Sequence, residues 1–212
     1  RGLVGSEMCI RDRVIPFEEM WKELKRIRKD RTAIVLFGSE PFSSLLRVSN
    51  LKEYKYDWIW EKPQGVDPFI SKYRPLNNYE VISVFYKKFG IYNPQFAKGT
   101  PYVIERDKKP RVMEVKQAKM KPTRTVNTGY RYPKRVLKLK QERGLHPTQK
   151  PLSLLGYLIK TYTNKGDLVL DFTCGSGTTL MACEKLNRRW IGIEIEEEYC
   201  EIAKKRILEK EV

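Results

Sequence analysis

The chain is poor in the residues that mark metal centres, disulfide scaffolds and membrane segments. Its 212 residues include one histidine and four cysteines, and none of the cysteines has Cys-x-x-Cys spacing. This pattern indicates neither a zinc site nor a disulfide framework, and it is typical of a reducing cytoplasm. No apolar run is long enough to span a membrane, and no charged-then-apolar signal peptide is visible. We therefore expect a cytoplasmic protein with no metal and no membrane contact, long enough to bury a sizeable core.

Two common nucleotide-binding patterns are also missing. No Gly-Lys-Ser/Thr is present, which excludes a phosphate-gripping P-loop. An apolar run, Leu168-Val-Leu-Asp171, does lead into Cys174-Gly-Ser-Gly-Thr-Thr179 and a predicted helix. Leu180 stands where the dinucleotide fingerprint has its third glycine, and this disfavours NAD. For such a loop taken alone, a tight turn that binds nothing is the alternative.

The residues around this loop favour a ligand that carries adenosine. A glycine-rich turn between a strand and a helix lets a ligand approach bare backbone, and the helix N-terminus favours negative groups. A second predicted strand, Arg189-Trp-Ile-Gly-Ile-Glu194, ends in an acid. A carboxylate about 20 residues past the first strand can accept hydrogen bonds from ribose hydroxyls. The pattern therefore predicts an adenosine-bearing ligand that is not a dinucleotide.

Together with His146-Pro-Thr-Gln-Lys-Pro151, the loop resembles that of the amino-group DNA methyltransferases, the adenine-N6/cytosine-N4 family. In that family the two motifs jointly bind S-adenosylmethionine (SAM). The resemblance covers nearly everything from Val14 to Ile207, and it departs at Phe172 and Thr173, where the family usually has Pro-Phe. It implies a Rossmann-like SAM-dependent methyltransferase fold of the α/β class, in a permuted order that places the cofactor loop last. It also implies double-stranded DNA as the partner, in a restriction-modification or phage context.

The resemblance carries a set of expected cofactor-binding residues. His146 is expected to shape the cofactor pocket with no acid-base role. Glu194 is expected at the ribose hydroxyls and Asp171 near the methionine amino end of SAM. The full expected set is Phe37, Ser39, His146, Thr148, Lys150, Asp171, Phe172, Cys174, Gly175, Ser176, Gly177, Thr178, Thr179 and Glu194.

The family's catalytic motif, Asp/Ser/Asn-Pro-Pro followed by Tyr, Phe or Trp, is not found in the chain. The nearest match, Asp67-Pro-Phe-Ile70, lacks the second proline and the aromatic residue, and it is predicted to be a turn. Residues 1–13 have no likeness to the family and resemble translated read-through, so they are set aside. The expectation is an N-terminally truncated product that lacks the central strand carrying the motif, has no assignable catalytic residue and is inactive alone. In the family's sheet, that strand lies between the strand ending at Asp171 and the strand ending at Phe37.

Positive charge is concentrated in one region. The chain carries a net charge of +16, and residues 98–143 hold 15 Lys/Arg against 4 Asp/Glu. A solvated or disordered loop is one interpretation, although interleaved Tyr102, Tyr130 and Tyr132 favour partial folding. The other is an electrostatic track for DNA phosphates, in the region where the family recognises its target. The expected DNA contacts are Lys121, Arg124, Arg131, Lys134, Arg135 and Lys138.

Hydrophobic periodicity predicts helices alternating with strands, and hence an α/β fold with a largely parallel sheet. Helices are predicted at 17–28, 42–48, 152–162, 178–186 and 197–208, and strands at 32–37, 56–60, 79–86 and before Asp171 and Glu194. Trp58 and Trp60 are assigned to the core rather than to base stacking. The predicted organisation is a non-native tail (1–13), the C-terminal part of the catalytic half (14–97), a basic target-recognition region (98–145) and a SAM-binding half (146–212).

Three functional hypotheses follow from these features. The favoured one is a fragment of a SAM-dependent DNA amino-methyltransferase, with adenine preferred over cytosine because adenine members of the family are commoner. The second is a non-catalytic, basic DNA-binding module with a vestigial cofactor pocket. The third is a nicotinamide-dependent oxidoreductase, which Leu180 and the basic region disfavour. The oligomeric state and the recognition sequence are not encoded in any visible pattern.

Overall fold

The computed structural model describes residues 9–10, 13–66, 69, 71–106, 123–142, 144 and 149–209. The chain divides into two compact units. The small unit is Pro94–Pro133, and the main unit is made of Arg1–Asn93 and Lys134–Val212. The predicted target-recognition region, 98–145, therefore crosses the boundary between them.

The main unit holds all five helices found in the described residues and most of the strands. Its elements are β1 (Cys9–Ile10), β2 (Arg13–Val14), α1 (Phe17–Ile27), β3 (Ile34–Gly38), α2 (Phe42–Ser49), β4 (Tyr54–Val66), β5 (Asn77–Phe85), β10 (Val136–Lys138), α3 (Leu152–Tyr162), β11 (Leu168–Asp171), α4 (Thr178–Lys185), β12 (Arg189–Gly192) and α5 (Glu197–Leu208). The small unit contains two antiparallel strand pairs, made from β6 (Ala97–Lys98), β7 (Tyr102–Arg106), β8 (Thr123–Asn127) and β9 (Tyr130–Arg131).

The α1 helix shows why the helix predictions were accurate. Its apolar stripe, Met20, Trp21 and Leu24, is buried, while acidic residues lie in its first turn and basic residues in its last. Those charges complement the helix dipole, and the stripe supplies the packing face. Trp21 Nε1 also donates a 2.7 Å hydrogen bond to Ser49 Oγ at the end of α2. The stripe therefore both forms the helix and positions it.

The prediction of a largely parallel sheet was wrong. The main sheet has the order β10-β4-β5-β3, in which β5 runs antiparallel to both of its neighbours and only β10 is parallel to β4. Consecutive strands such as β4 and β5 can pair antiparallel through a short connection, whereas parallel pairing needs a crossover. The second sheet, β11-β12, does have that crossover through α4 and is parallel. It ends at Gly192, so Glu194 lies beyond the strand that was predicted to end there.

The open edges of the two sheets are a notable feature of this fold. Among the described residues, β3 pairs only with β5, and β11 pairs only with β12. The two strands that the family places on either side of its catalytic strand therefore do not pair with each other. Apolar side chains on the two-stranded sheet β11-β12, called the short sheet below, are left exposed. Leu168 is 52% exposed, and Ile193, just beyond β12, is 54% exposed.

Helices cover both faces of the main sheet. One core cluster joins Phe37, Trp58 and Trp60 of the sheet to α3 and α4, and the other joins Ile34 and Leu36 to α1 and α2. The alternation along β3 follows from the pleat, which sends successive side chains to opposite faces. Trp58 and Trp60 are 3% and 2% exposed, so their assignment to the core is confirmed. In the described part of the chain, no helix is both long and apolar enough to cross a membrane.

Candidate functional site: the glycine loop and its supports

The glycine loop, residues 172–177, connects β11 to α4 in a conformation that requires glycine. Gly175 and Gly177 have φ values of 51° and 78°, in the left-handed region where a side chain is strained. A Cβ at Gly177 would also lie 2.8 Å from the Ala203 Cβ on α5. The loop is closed by a hydrogen bond from Gly177 N to Cys174 O (2.9 Å). It therefore offers bare backbone next to the first turn of a helix, as the sequence predicts.

The close packing of α4 on the short sheet is achieved without a third glycine in the loop. A Cβ at Gly192 would lie 2.6 Å from Leu180 Cδ1 and 3.0 Å from Cys174 Sγ. In the dinucleotide fingerprint, a glycine on the helix makes room for close packing against the sheet. Here the glycine that makes this room is Gly192, on the neighbouring strand β12. Leu180 is 3% exposed, so it fills this space as a core residue.

Asp171 ends β11 beneath the loop and is 6% exposed. Its Oδ1 accepts a 3.2 Å hydrogen bond from Thr173 N. Burial raises the pKa of Asp171, and the nearby charge of Glu194 raises it further, while hydrogen bonds from Thr179 and Thr173 act in the opposite direction. A buried carboxyl group with a raised pKa has more to gain from a positively charged or proton-donating ligand than an exposed one.

Glu194 connects the end of the short sheet to the glycine loop. Its Oε2 accepts a hydrogen bond from Gly175 N (2.8 Å), and its Oε1 accepts from Ile195 N (2.8 Å) and Glu196 N (3.1 Å). A carboxylate has about four lone-pair positions, so at least one stays open for a ligand hydroxyl. The structure thus gives Glu194 a loop-holding role that sequence reasoning missed, and its contact with a ribose stays a prediction.

Two further groups in the loop bear on what it can hold. Thr173 Oγ1 is buried and has no hydrogen-bond partner among the described residues. A buried hydroxyl without a partner is costly, and a polar ligand group would satisfy it.

Burial, with the charges of Asp171 and Glu194, raises the pKa of the Cys174 thiol to about 12. Cys174 is therefore a neutral thiol rather than a nucleophile. Bare backbone, a buried carboxyl group and an unsatisfied hydroxyl fit a nucleoside-bearing ligand with a cationic end.

Arg206, on α5, supports the glycine loop from beneath and was not identified from the sequence. It is 7% exposed, and its Nη1 donates to Ser176 O at 2.6 Å and to Thr178 Oγ1 at 3.2 Å. Burial lowers the pKa of its guanidinium. The signal was its place one helical turn after buried Ala203, on the packed face of α5. A charged residue on the buried face of a helix indicates a polar partner in the core, because such a residue is rarely buried without one.

A second missed feature is a buried triad, Lys62, Glu80 and Lys150. Lys150 Nζ donates to Glu80 Oε2 at 2.5 Å, and Lys62 Nζ donates to Glu80 Oε1 at 2.6 Å. All three residues are less than 9% exposed. Burial lowers the pKa of Lys150 although Glu80 opposes it. Burial alone would raise the pKa of Glu80, but the two ammonium groups hold it below its usual value.

The triad changes the interpretation of two predicted cofactor residues. Lys150 Nζ lies 5.4 Å from the centroid of the Phe37 ring, and Phe37 is itself 3% exposed within the core. Both side chains thus have internal partners, and Lys150 anchors the segment before α3 to β5. Their contact with a cofactor stays a prediction. Glu80 was detectable in principle, since it is the one charge in an otherwise apolar stretch of β5.

The remaining predicted cofactor residues are distributed as follows. Ser176, Thr178 and Thr179 are buried in or just after the glycine loop, and Phe172 packs against the α1–α2 core cluster. Ser39 follows β3 and accepts a hydrogen bond at its carbonyl from Ser43 N (3.0 Å). His146 and Thr148 lie outside the described residues, as does Lys121 of the expected DNA contacts.

The expected DNA-binding residues divide between the units. Lys134, Arg135 and Lys138 belong to the main unit, where Lys138 Nζ lies 3.2 Å from a Glu61 carboxylate oxygen. Arg135 lies 5.8 Å from the centroid of the Tyr56 ring. In the small unit, Arg124 pairs with Glu105 at 3.4 Å and both side chains are exposed.

Comparisons with known proteins show the family to which the chain belongs. Residues 14–205 match a family model described as DNA methylase. The chain is 30% identical over 199 residues to the Type II methyltransferase M.HinfI of Haemophilus influenzae, a match that covers 91% of this chain and 51% of that protein. It is 49% identical over 70 residues to M2.DpnII of Streptococcus pneumoniae, covering 33% and 26%. The chain thus spans about half, or less, of the length of these curated relatives.

Solved structures of DNA methyltransferases have a similar fold. The crystal structure of an M1.HpyAVI-SAM complex is 28% identical to this chain, with a TM-score of 0.63 over 93% of this chain and 85% of that one. The cytosine-N4-specific PvuII DNA methyltransferase is 16% identical, with a TM-score of 0.65 over 92% and 72%. The second likeness concerns the fold alone.

Proposed function

Since the chain belongs to the DNA methylase family of adenine-N6 and cytosine-N4 methyltransferases, we propose that it forms part of an enzyme that transfers a methyl group from SAM to an exocyclic amino group in double-stranded DNA. The observation that carries this proposal is the glycine loop, in which bare backbone at Gly175 and Gly177 lies beside Asp171 and Glu194. The fold and the SAM complex of a relative 28% identical support it. We favour adenine as the target on the family resemblance alone.

Different residues in and around the glycine loop would bind different parts of the cofactor. The buried Asp171 carboxyl group would receive the positively charged methionine end, and the open lone pair of Glu194 would accept from a ribose hydroxyl. Gly175 and Gly177 let the ligand approach the backbone, and Arg206 holds the loop in shape from the opposite side. When bound, SAM supplies an electrophilic methyl group on a sulfonium centre.

The DNA half of the reaction needs groups that this chain does not contain. The amino nitrogen of a base is inaccessible within the stack, so the base must be flipped out. Its lone pair is delocalised, and a hydrogen-bond acceptor must make it available while the base is held in line. The motif that performs this in the family is not found in the 212 residues. We therefore infer that the chain alone binds SAM and DNA but does not transfer methyl groups.

The open edges of β3 and β11 support this inference. In the family, the strand that carries the motif lies between the strands that correspond to β3 and β11, and among the described residues each of these two has one open edge. The backbone groups along these edges have no strand partner among the described residues, and net stabilities are only about 5–15 kcal/mol, so we expect the chain alone to be marginally stable. The same missing motif favours a second candidate function, a non-catalytic DNA-binding module.

The test uses calorimetric titration of the chain with SAM and with NAD, followed by a methylation assay on duplex DNA. We expect SAM to bind and NAD not to bind. Glu194→Ala should weaken SAM about tenfold or more, since a hydrogen bond to a charged group contributes roughly 1.5–3 kcal/mol. Glu198→Ala, an exposed acid in the first turn of α5, is the matched control and should bind like the parent.

Restoring a strand with an Asp-Pro-Pro-Tyr segment ahead of α1 separates the two candidate functions. Under the enzymatic proposal, the extended chain melts cooperatively and methylates DNA. An extended chain that binds SAM and DNA yet never methylates would favour the binding module. Unchanged SAM affinity in Glu194→Ala would refute the ribose assignment.

A further inference from the structure

In the part of the small unit that the structure describes, the large apolar side chains lie exposed. Every large hydrophobic residue of Pro94–Pro133 whose burial is described is exposed, including Tyr132 at 73% and Tyr130 at 57%. The partial folding that the interleaved aromatic residues predicted is confirmed by the strand pairs β6-β9 and β7-β8, but Tyr102, Tyr130 and Tyr132 stay exposed on them. Where exposed apolar side chains contact one another, they mark a binding surface more often than a monomer's free face.

Three of these side chains are joined through the Phe96 ring, which meets one partner tilted and the other edge to face, and together they form an aromatic platform: Phe96, Tyr130 and Tyr132. Strand β6 pairs with β9 so that Lys98 lies opposite Tyr130 and Ala97 opposite Arg131. Side chains alternate between faces along a strand, so Phe96, Lys98, Tyr130 and Tyr132 share one face. The centroid of the Phe96 ring lies 4.9 Å from that of Tyr132 and 6.3 Å from that of Tyr130.

The opposite face holds the platform in place. Arg131 donates hydrogen bonds to Asn127 Oδ1 and Thr100 O, and its guanidinium carbon lies 4.6 Å from the centroid of the Tyr102 ring. A hydrogen bond from Gly99 N to Gly129 O (2.7 Å) closes the end of the strand pair. Arg131 is therefore a structural cross-link within the small unit, and its expected contact with DNA stays a prediction. The cross-link holds the strand pair from which the rings of the other face project.

Charge decides which partner suits this surface. Residues 94–133 contain ten Lys/Arg and three Asp/Glu. An exposed aromatic face on a neutral unit would suit a protein, but one within a strongly basic unit suits a polyanion that also presents flat apolar rings. DNA has both features, since phosphates attract the basic residues and each base offers a face for stacking.

We propose that Phe96, Tyr130 and Tyr132 form a base-stacking site that binds DNA bases freed from the duplex stack. This inference rests on the proposed function, because it assumes that the chain acts on DNA. Stacking is tolerant of sequence, and it is easiest where a base is already unpaired. The platform therefore favours duplexes with a weakened base pair, and its contribution is independent of the salt-dependent phosphate contacts.

The experiment measures fluorescence anisotropy of the full 212-residue chain with two labelled duplexes over a series of salt concentrations. One duplex has a mixed sequence, and the other is identical except for a single mismatched pair. The variants are Phe96→Ala, Tyr132→Ala and Tyr132→Phe. Phe89→Ala, 65% exposed in the main unit, is the matched control.

We expect the unmodified chain to bind the mismatched duplex more tightly than the matched one. Phe96→Ala and Tyr132→Ala should each weaken binding to the mismatched duplex about tenfold, with the same salt slope as the parent. Tyr132→Phe retains the ring and should bind like the parent, as should Phe89→Ala.

Three outcomes would overturn the proposal in distinguishable ways. If the alanine variants bind both duplexes like the parent, the platform has no role on DNA while the proposed function stands. If they instead alter self-association in sedimentation velocity and leave DNA binding intact, a second copy of the chain occupies the surface. If the unmodified chain binds neither duplex, the DNA half of the proposed function fails along with the platform.

Discussion

Replacing Glu80 by glutamine is the sharpest test of how the segment before α3 is held. Glu80 is 3% exposed and is the acceptor shared by Lys62 and Lys150, at 2.6 and 2.5 Å. The substitution keeps the shape of the side chain but leaves two ammonium groups buried without a counter-charge. Breaking a buried ion pair by removing one partner typically costs about 3–5 kcal/mol. Against a net stability of about 5–15 kcal/mol, Glu80→Gln should be severely destabilised.

The pH dependence of that loss distinguishes electrostatics from packing. Burial already lowers the pKa of Lys150, and the charge of Glu80 opposes this shift, so in the variant the pKa of Lys150 should fall further below its unfolded value and the unfolded state binds more protons. Stability then rises with pH from the depressed pKa of the folded state up to the unfolded pKa of about 10.4. A packing defect would give a loss that does not change with pH.

The assay is urea denaturation monitored by tryptophan fluorescence, to which Trp60 contributes from the core, where its ring centroid lies 5.0 Å from Lys62 Nζ. Glu105→Gln is the control. Its partner Arg124 is 68% exposed and Glu105 is 74% exposed, and such surface pairs contribute about 0–1 kcal/mol. A Glu80→Gln variant no less stable than this control, or one whose loss is constant with pH, would refute the reasoning.

Two other predictions concern the cofactor and DNA. Burial raises the pKa of Asp171, so SAM affinity measured by calorimetry should increase as pH rises through that pKa, because the ionised carboxylate favours a cation. Asp171→Asn should bind more weakly and lose this pH dependence, and a persistent dependence would assign it to another group. For DNA, replacing Lys134, Arg135 and Lys138 together by alanine should flatten the salt slope, by about 0.9 for each phosphate that is no longer neutralised, and weaken all sequences alike. An unchanged slope would mean that these residues face away from the DNA.

The local hydrophobic pattern of the sequence was sufficient to predict where the helices lie. Residues 152–162 and 197–208 were predicted as helices, and α3 and α5 have those bounds. Helical periodicity and end signals lie within a few residues of each other, so the sequence carries them directly. Strand pairing is different, because β3 pairs with β5 past the intervening β4. Nothing local in β3 specifies that partner, and the predicted parallel sheet was wrong for this reason.

The sequence by itself determined the glycine loop and the family. The loop is a run of consecutive residues whose conformation depends on Gly175 and Gly177, and such requirements are written in the chain order. Tertiary structure alone decided what supports the loop and what surrounds it. Glu80 and Lys150 lie 70 residues apart, and Arg206 reaches Ser176 from 30 residues away. Whether an aromatic side chain is buried or exposed depends on which distant elements cover it, and only the folded chain settles that.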